Sequence, residues 1–282
     1  MKKANKEKTK FSVLMSIYYK EKPEFLDLAL KSIIVDQTLK PDEIIFVEDG
    51  PLTKELDEVV LKYEKKYPNI FKVYPLEKNG GLGPALNYGL SKCENELVMR
   101  MDTDDISMPT RFEKQIDYMN KHQDVSAVGG CIIDFDKTPE DSKRYKTMPI
   151  SYDEVIKYAK FRNPINHGSV CFRKSDVLDV GSYQDMFYLE DHYLWARMLI
   201  NGKKIENLPD VLIALRIGDG FIDRRGNKKY MVGWKKLQNY MYKNKFINFF
   251  EKERNLLGMF VLTHCSNEFR TFLYDNIFRK KK

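Results

Sequence analysis

The chain has 282 residues, and with 43% of them hydrophobic and 13% aromatic it can form a large core in one or two domains. Its formal net charge is +7, while 32% of the residues are charged, so both signs of charge must cover the surface. The four cysteines have no CxxC spacing, which excludes a disulfide framework and a zinc site and favours a reducing compartment.

Excess positive charge lies at the two ends of the chain, in MKKANKEKTK and RKKK. Basic ends suit an anionic membrane surface or a nucleic acid, although a solvated tail is the commoner explanation. We expect no nucleic-acid binding, because no recognised nucleic-acid-binding module is present. The N-terminus lacks an apolar segment of signal-peptide length, and no run approaches the roughly 18 apolar residues needed to span a bilayer. We therefore expect a cytoplasmic protein that is peripheral on the inner face of the cell membrane.

Predicted strands alternate with predicted helices along the first half of the chain. The expected strands are 11–17, 42–50, 71–75, 97–101 and 124–135. The expected helices are 23–36, 53–66, 84–93 and 109–122. Such alternation predicts an α/β fold with a mostly parallel central sheet built from βαβ units. Ligands collect at the carboxyl ends of strands in these sheets, and Asp49 and the aspartates after residue 101 both fall at such ends.

A cluster of aspartates follows the apolar run 97–101. Asp102 and Asp104 are two residues apart, so on an extended backbone both side chains leave the same face. Two carboxylates on one face repel each other unless a cation lies between them, and an all-oxygen site favours Mg²⁺ or Mn²⁺ over zinc. The alternative is an acidic turn in which one aspartate caps the next helix, with Pro109 in its first turn.

The second half of the chain is less regular. The expected elements are a helix opened by a capping box of Ser151 and Glu154, a strand at 169–174, a helix opened by Glu190 and Asp191 and ended by Gly202, a strand at 211–216, and helices from about residue 229. The predicted organisation is a basic tail at 1–10, one catalytic domain at 11–228, and a helical, basic and aromatic extension at 229–282.

Five motifs, in this order, resemble those of family 2 glycosyltransferases with the GT-A fold. They are MSIYYK, DQTLKPDEIIFVEDG, NGGLGPALNYGL, MDTDDISMPTR and FYLEDHYLWARM. The similarity covers roughly residues 11–216 and points to bacterial enzymes that build O-antigen, capsule and other surface polysaccharides. The resemblance implies a Rossmann-like sheet flanked by helices, with a nucleotide-sugar half at about 11–135 and an acceptor half at about 136–228. It also implies a nucleotide-diphosphate sugar as donor, most often UDP-linked, and inversion at the anomeric carbon.

The resemblance assigns nucleotide-binding roles by position. Ser16 and Tyr18 would line the nucleotide pocket, with Tyr18 near the uracil ring. Asp49 would accept a hydrogen bond from the base. Asn79 and Gly81 match the glycine-rich loop that brings backbone close to the donor.

The resemblance also places the metal and the catalytic base on carboxylates. Asp102 and Asp104 match the DxD motif that contacts the ribose and the metal-bound diphosphate, and Asp105 would support them. Asp191 matches the general base, a role that typically contributes about 10²–10⁴-fold to the rate. On the residue pattern alone, an acid in the first turn of a helix is the commoner explanation of Asp191. Glu190 is expected to position its neighbour.

Two positions depart from the family pattern. Leu86 replaces an arginine that many members have, which removes a possible phosphate contact. After the strand that ends near Arg216, many members have a histidine close to the metal, but this chain continues RIGDGFIDRR. Arg216 is therefore a possible supporting residue, and a charge beyond it could come from Asp219, Arg224 or Arg225. His167 lies in a segment that resembles the acceptor-facing part of the family, although a lone histidine is more often structural.

These features predict an inverting glycosyltransferase that moves a hexose or N-acetylhexosamine, of glucose or galactose type, from a UDP-sugar to a hydroxyl group. The resemblance implies a lipid-linked saccharide acceptor of the undecaprenyl-pyrophosphate type. One alternative is a non-catalytic nucleotide-sugar-binding protein. Another is a DxD phosphatase of the haloacid-dehalogenase type, whose motif needs threonine or valine where this chain has Ile106.

The segment after residue 243 combines basic and apolar groups. Six apolar side chains recur there at helical spacing and predict one stripe of a helix: Phe246, Phe249, Phe250, Leu256, Leu257 and Phe260. The stripe either packs against the catalytic domain or lies in the interface of an anionic membrane, where lysines and arginines would meet lipid headgroups.

Overall fold

The strands pair into one sheet of ten strands within the residues that this computed structural model describes, which are 9–142, 144–186, 188–217, 228–273 and 280–281. The strands are β1 (Phe11–Ile17), β2 (Glu43–Glu48), β3 (Phe71–Pro75), β4 (Leu97–Arg100), β5 (Ile106–Ser107), β6 (Val125–Phe135), β7 (Arg144–Lys146), β8 (Cys171–Arg173), β9 (Lys204–Arg216) and β10 (Lys280–Lys281). The helices are α1 (Pro23–Ile34), α2 (Lys54–Lys66), α3 (Leu82–Lys92), α4 (Arg111–Lys121), α5 (Tyr152–Ala159), α6 (Lys174–Asp179), α7 (Glu190–Ile200), α8 (Lys228–Lys243), α9 (Phe249–His264) and α10 (Asn267–Leu273).

Strands β1 to β4 form the parallel half of the sheet, in the order β3-β2-β1-β4. β1 and β2 stay in register to their last residues, where Ile17 lies opposite Glu48. The polar residues that follow β1, β2 and β4 consequently leave the sheet at the same edge. This edge carries the candidate site.

The other half of the sheet is mainly antiparallel. β8 runs antiparallel to both β4 and β6, and β6 runs antiparallel to β7 but parallel to β9. The predicted α/β fold is confirmed. The predicted parallel pairing holds for β1 to β4, and the antiparallel pairs of the other strands make the whole sheet mixed. Apolar periodicity does not indicate strand direction, because a buried strand has the same pattern in either direction.

Helices cover both faces of the sheet. Val13 and Met15 of β1 belong to a core cluster with α1, α2 and α4, whereas Leu14 belongs to a second cluster with α3, α5 and α7. Helix α3 approaches the sheet closely because Gly89 has no side chain, and a Cβ there would lie 2.5 Å from Leu14 Cδ1. The continuous apolar runs of β1 and β2 thus reflect burial on both faces.

Two predicted boundaries are wrong where distant strands pair. Helix α4 begins at Arg111 instead of residue 109, because Ile106–Ser107 form β5 against β9 and Pro109 lies in the turn before the helix. β9 begins at Lys204 instead of residue 211, because its first half pairs with β6. Neither pairing has a signal in the local sequence.

The predicted helix starts of the second half are confirmed. The capping box of α5 is present, with Ser151 N donating to Glu154 Oε2 at 3.0 Å. Helix α7 begins at Glu190 and is followed by Gly202 with φ of 76°, a left-handed conformation that favours glycine.

Helix α8 attaches the C-terminal helices to the rest of the molecule. Trp234, Leu237 and Met241 of α8 are buried against α7 and the loop before it. Helix α9 packs on α8, and the backbone oxygen of its buried Asn255 accepts a hydrogen bond from Trp234 Nε1 at 3.1 Å. Over the described ranges, no helix combines the length and the apolar character that a bilayer span requires.

Candidate active site

The acidic turn after β4 holds three aspartates in different surroundings. Asp102 is partly exposed, and its carboxylate pairs with the guanidinium of Arg100, which is 3% exposed. Asp104 is partly buried, and Asp105 is almost completely buried. The turn is a bend, not the extended strand that we predicted, but it lies at the expected edge of the sheet.

Arg216, at the end of β9, holds the acidic turn in place. Its backbone N–H donates to Asp105 Oδ1 at 2.9 Å, and its Nε donates to the carbonyl oxygen of Asp104 at 3.0 Å. The guanidinium carbon lies 3.9 Å from the ring centre of Phe25 and 4.4 Å from that of Phe135. Arg216 and Asp105 therefore act on the backbone that presents Asp102 and Asp104.

Burial, reinforced by repulsion between carboxylates, raises the pKa values of two aspartates in this turn. Burial, followed by the charges of Asp102 and Glu21, raises the pKa of Asp104 to about 7. Burial, followed by the charges of Asp104 and Asp102, raises the pKa of Asp105 well above its usual value. Carboxylates that resist ionisation in this way would be stabilised by a nearby cation.

The donor set fits a divalent cation that is shared with a substrate. Among the described residues, no group of three His, Cys, Asp or Glu side chains is placed to hold a metal ion by itself. Mg²⁺ usually keeps several waters and takes only one or two protein carboxylates together with substrate phosphates, and Asp102 and Asp104 can supply that number. The residues considered for additional charge, Asp219, Arg224 and Arg225, lie outside the described residues.

Asp49 clamps the end of β2 to the glycine-rich loop before α3. Its Oδ1 accepts from Gly80 N at 2.7 Å and its Oδ2 from Gly81 N at 2.9 Å, while Asn79 Nδ2 donates to its carbonyl oxygen at 3.1 Å. Gly50 has φ of 85°, and a Cβ there would lie 2.6 Å from Asn79 N. Asp49 therefore shapes the loop, and its predicted bond to a nucleotide base stays a prediction.

The other two residues that the sequence predicts for a nucleotide pocket, Ser16 and Tyr18, lie at the end of β1. Ser16 is partly buried and pairs in register with Val47 of β2. Tyr18 is 44% exposed, and within the described part of the chain the only aromatic ring near it is that of Tyr19, in an edge-to-face arrangement with 5.8 Å between the ring centroids. An exposed aromatic side chain at this edge suits stacking on a planar base.

At the position where many family members have an arginine, this chain has a core residue. Leu86 is fully buried in the cluster between α3 and the sheet. A charged side chain there would lose its hydration without a partner, which accounts for the apolar residue.

The Glu190–Asp191 pair opens α7. Asp191 Oδ2 accepts from Asn163 Nδ2 at 2.6 Å, and its Oδ1 accepts from the N–H of His192 at 2.7 Å. Burial raises the pKa of Asp191, which these hydrogen bonds oppose. Burial also raises the pKa of Glu190, to about 7. Gly83 permits this approach of α3 to α7, since a Cβ on it would lie 3.2 Å from Glu190 Cγ.

His167 contacts Tyr183, whereas its neighbour Gly168 approaches the acidic turn. The ring Nε2 lies 2.9 Å from the hydroxyl of Tyr183, and burial, followed by the charge of Arg100, lowers the pKa of His167 well below its usual value. At Gly168 a Cβ would lie 2.9 Å from Asp102 Oδ2. The segment thus brings the backbone of Gly168 close to the carboxylates of Asp102 and Asp105.

Arg100 lies near both acidic groups and was not identified from the sequence. Burial raises the pKa of Asp191 and that of Asp104, and the charge of Arg100 opposes both shifts, so both groups lie within its electrostatic reach. Asn163, which holds Asp191, was also missed. A lone arginine in the apolar run before the aspartates was a usable signal, whereas nothing in the sequence marks Asn163.

Comparison with known proteins identifies the family of the chain. The model of the family described as Glycosyl transferase family 2 matches residues 12–181. The chain is 45% identical over 221 residues to the amylovoran biosynthesis glycosyltransferase AmsE of Erwinia amylovora, covering 78% of this chain and 81% of that relative. It is 38% identical over 271 residues to the UDP-Gal:alpha-D-GlcNAc-diphosphoundecaprenol beta-1,3-galactosyltransferase of Escherichia coli, covering 96% and 97%.

A solved structure shares the fold. The mannosyltransferase PcManGT from Pyrobaculum calidifontis, in complex with GDP-Man and Mn²⁺, superposes with a TM-score of 0.66 at 15% identity, covering 94% of this chain and 72% of that one. This likeness establishes the architecture and nothing finer. With the matched family model and the two relatives, it leads to one conclusion: the chain is a glycosyltransferase that belongs to family 2 and has the GT-A fold.

Proposed function

We propose that the protein transfers a hexose or N-acetylhexosamine, of glucose or galactose type, from a UDP-sugar to a hydroxyl of a lipid-linked saccharide, with inversion. The observation that carries the proposal is that two different carboxylate groups lie within the electrostatic reach of Arg100. Asp102 and Asp104 form the group suited to a cation and a diphosphate, and Asp191 forms the other, oriented by a hydrogen bond from Asn163. The Escherichia coli relative, whose name gives a UDP-sugar donor and a diphosphoundecaprenol acceptor, supports both substrate classes.

The donor would be held by the acidic turn and the glycine-rich loop. Asp104, with Asp102 beside it, would bind Mn²⁺ or Mg²⁺, and the bound ion would neutralise the negative charge that develops on the departing UDP. The Gly80–Gly81 backbone, fixed by Asp49, would lie close to the donor, and Ser16 and Tyr18 would contact the nucleotide.

The acceptor hydroxyl would be deprotonated by Asp191. Its hydrogen bonds with Asn163 and with its own helix fix the carboxylate in one orientation. The pKa raised by burial makes this carboxylate a stronger base than an exposed aspartate. Glu190 would position the start of α7, and Asp105 and Arg216 would support the turn; Arg216 accordingly acts through the backbone.

The proposed setting is bacterial surface-polysaccharide synthesis, of O-antigen or capsule type, on the cytoplasmic side of the membrane. The enzyme would meet an undecaprenyl-pyrophosphate-linked acceptor as a peripheral protein on the inner, anionic face. We propose that 11–135 bind the donor, 136–228 the acceptor, and 229–282 the membrane side, with 1–10 a basic tail. No nucleic acid has a part in this function.

A panel of UDP-sugars with Mn²⁺ and a short-chain GlcNAc-pyrophosphate-lipid acceptor tests the proposal. We expect one glucose- or galactose-type donor to give a disaccharide product with inverted linkage, detected by mass spectrometry and NMR. Binding of a UDP-sugar with neither transfer nor slow hydrolysis would instead support a non-catalytic nucleotide-sugar-binding protein. Release of phosphate from sugar phosphates without transfer would support the DxD phosphatase alternative.

A further inference from the structure

The outer face of α9 carries a cluster of exposed apolar side chains, together with Glu253, whose charge is paired with Lys252. The exposed apolar side chains are Phe249, Phe250, Leu257, Phe260 and Val261, with Phe250 82% and Leu257 65% exposed. The inner face packs on α8 through Asn255, Leu256 and Met259. The single stripe predicted from the sequence is therefore divided, since Phe246 and Leu256 pack inward while the other four members face outward.

A basic cleft adjoins this face where α8 turns into α9. The cleft has a volume of about 590 Å³ and is lined by Lys160, Lys243, Lys245, Tyr242, Phe246, Ile247, Asn248, Phe249 and Glu251. Lys160 is neutralised by Glu251 at 3.1 Å. Within the described part of the chain, Lys243 and Lys245 make no ion pair. Two uncompensated cations thus lie beside exposed phenylalanines.

Lys245 occupies a position that favours glycine. Its φ is 59°, in the left-handed region, and it directly follows the last turn of α8. Helices commonly end in this way with glycine, because an L side chain is strained there. A lysine at this place carries a charge at a conformational cost.

We infer that the α8–α9 corner, defined by Lys243, Lys245, Phe249 and Phe250, docks on an anionic lipid bilayer. The phenylalanines enter the headgroup layer, and the lysines contact lipid phosphates. A second copy of the chain is the less suitable occupant, because a two-fold contact through this corner would bring the same lysines together.

The corner is connected to the proposed catalytic base by a short path. Asn255 Nδ2 of α9 donates to the carbonyl oxygen of Lys160 at 2.6 Å, and Lys160 lies in the segment leading to Asn163, which holds Asp191. The inference deepens the proposed function and rests on it for the lipid-linked acceptor, whose saccharide would then reach Asp191 from the membrane side.

Flotation of the full-length protein with phosphatidylcholine vesicles, with and without phosphatidylglycerol, tests the docking surface. No donor or acceptor is added, so the outcome does not depend on the proposed activity. We expect binding to the anionic vesicles that weakens with salt. The affinity of the Phe249→Ser/Phe250→Ser variant for anionic vesicles should fall at least about tenfold. Lys243→Gln and Lys245→Gly should each lower this affinity about fivefold.

Matched controls separate docking from misfolding. Lys245→Gly should keep or raise the melting temperature, because glycine suits the left-handed backbone. Leu61→Ser and Lys65→Glu, on exposed positions of α2, should leave vesicle binding unchanged. Equal binding of the native protein to neutral and anionic vesicles at low salt would overturn the inference. Unchanged vesicle binding by the phenylalanine variant would also overturn it. The same holds if the native protein binds no vesicles and is a dimer that the phenylalanine variant converts to a monomer.

Discussion

Asp191 combines two properties that pull in opposite directions. It is an acid in the first turn of α7, where negative charge is favoured, and it is sufficiently buried that its pKa is raised. A carboxylate kept in this state is poised to accept a proton, and Asn163 supplies the hydrogen bond that orients it. Helix opening and base catalysis are compatible roles for one side chain.

Replacing Asp191 by asparagine should separate these roles. We expect kcat to fall by roughly 10²–10⁴-fold while donor affinity stays near the native value. The melting temperature should stay the same or rise, because the amide keeps an acceptor for the helix N–H without burying a charge. Steady-state kinetics and calorimetry with UDP measure both effects, with Glu190→Gln as the comparison. A variant that retains most of its turnover would remove Asp191 from the mechanism.

Acid pH should inhibit the enzyme through the same carboxylate. The base acts only when ionised, and burial raises its pKa, so kcat/KM for the acceptor should fall with decreasing pH at a value above the usual aspartate range. Asn163 stabilises the ionised form, and Asn163→Ala should therefore shift this acid limb to still higher pH. Rate profiles of both proteins are the measurement. An unshifted or lowered limb in the variant would contradict the assignment.

Pairs of elements, more than single ones, form the site. β5 pairs with β9, and Arg216 from β9 holds the acidic turn that β4 delivers. The start of α3 lies against the start of α7 because Gly83 leaves room for Glu190. The C-terminal helices are joined to this frame by α8, and α9 reaches the segment before Asn163 through Asn255.

The contact between α8 and α9 should be stabilised by Asn255. Its Nδ2 donates to Gln238 Oε1 at 2.8 Å and to the carbonyl oxygen of Lys160. The side chains of Asn255 and Gln238 are buried, and the bond to Lys160 is partly buried. Asn255→Ala should lower the free energy of unfolding by about 1–3 kcal/mol, since buried partners lose their bonds. Asn244→Ala is the matched control, because the exposed Asn244 follows α8 and its side chain bonds to the carbonyl oxygen of Tyr240 in that helix. Equal chemical-denaturation midpoints for the two variants would show that α9 is not held this way.

Across the molecule, charge is distributed so that acidic side chains gather at one edge of a sheet in a basic protein. The formal net charge is +7, yet the turn after β4 concentrates carboxylates whose pKa values are raised by burial and by one another. A ligand that brings positive charge to this turn should therefore stabilise the whole fold.

The nucleotide should stabilise the protein only when the metal ion is present. UDP at 100 times its dissociation constant would add about 2.7 kcal/mol to the free energy of unfolding. We expect this gain, seen as a raised melting temperature, with Mn²⁺ or Mg²⁺ and its loss in EDTA or in Asp104→Asn. Asp117→Asn, which alters an exposed ion pair on α4, is the control. Equal stabilisation by UDP in EDTA would exclude the metal role of Asp102 and Asp104.

Elements with a strong local signal could be predicted from the sequence. The apolar runs of β1, β2 and β3, the capping box of α5 and the glycine after α7 depend on neighbouring residues, and the structure confirms them. The positions of Asp49 and the DTDD motif at an edge of the sheet followed from the same alternation of strands and helices.

Contacts between distant residues were decided by topology. β8 lies between β4 and β6, and β9 pairs with β6 over a length that its own sequence does not indicate. Arg100 pairs with Asp102 beside the backbone of Gly168. Asn163 reaches Asp191 across a gap in sequence that no periodicity connects. Local propensity reports only on adjacent residues, whereas a buried polar group takes whichever partner the fold brings within hydrogen-bond distance.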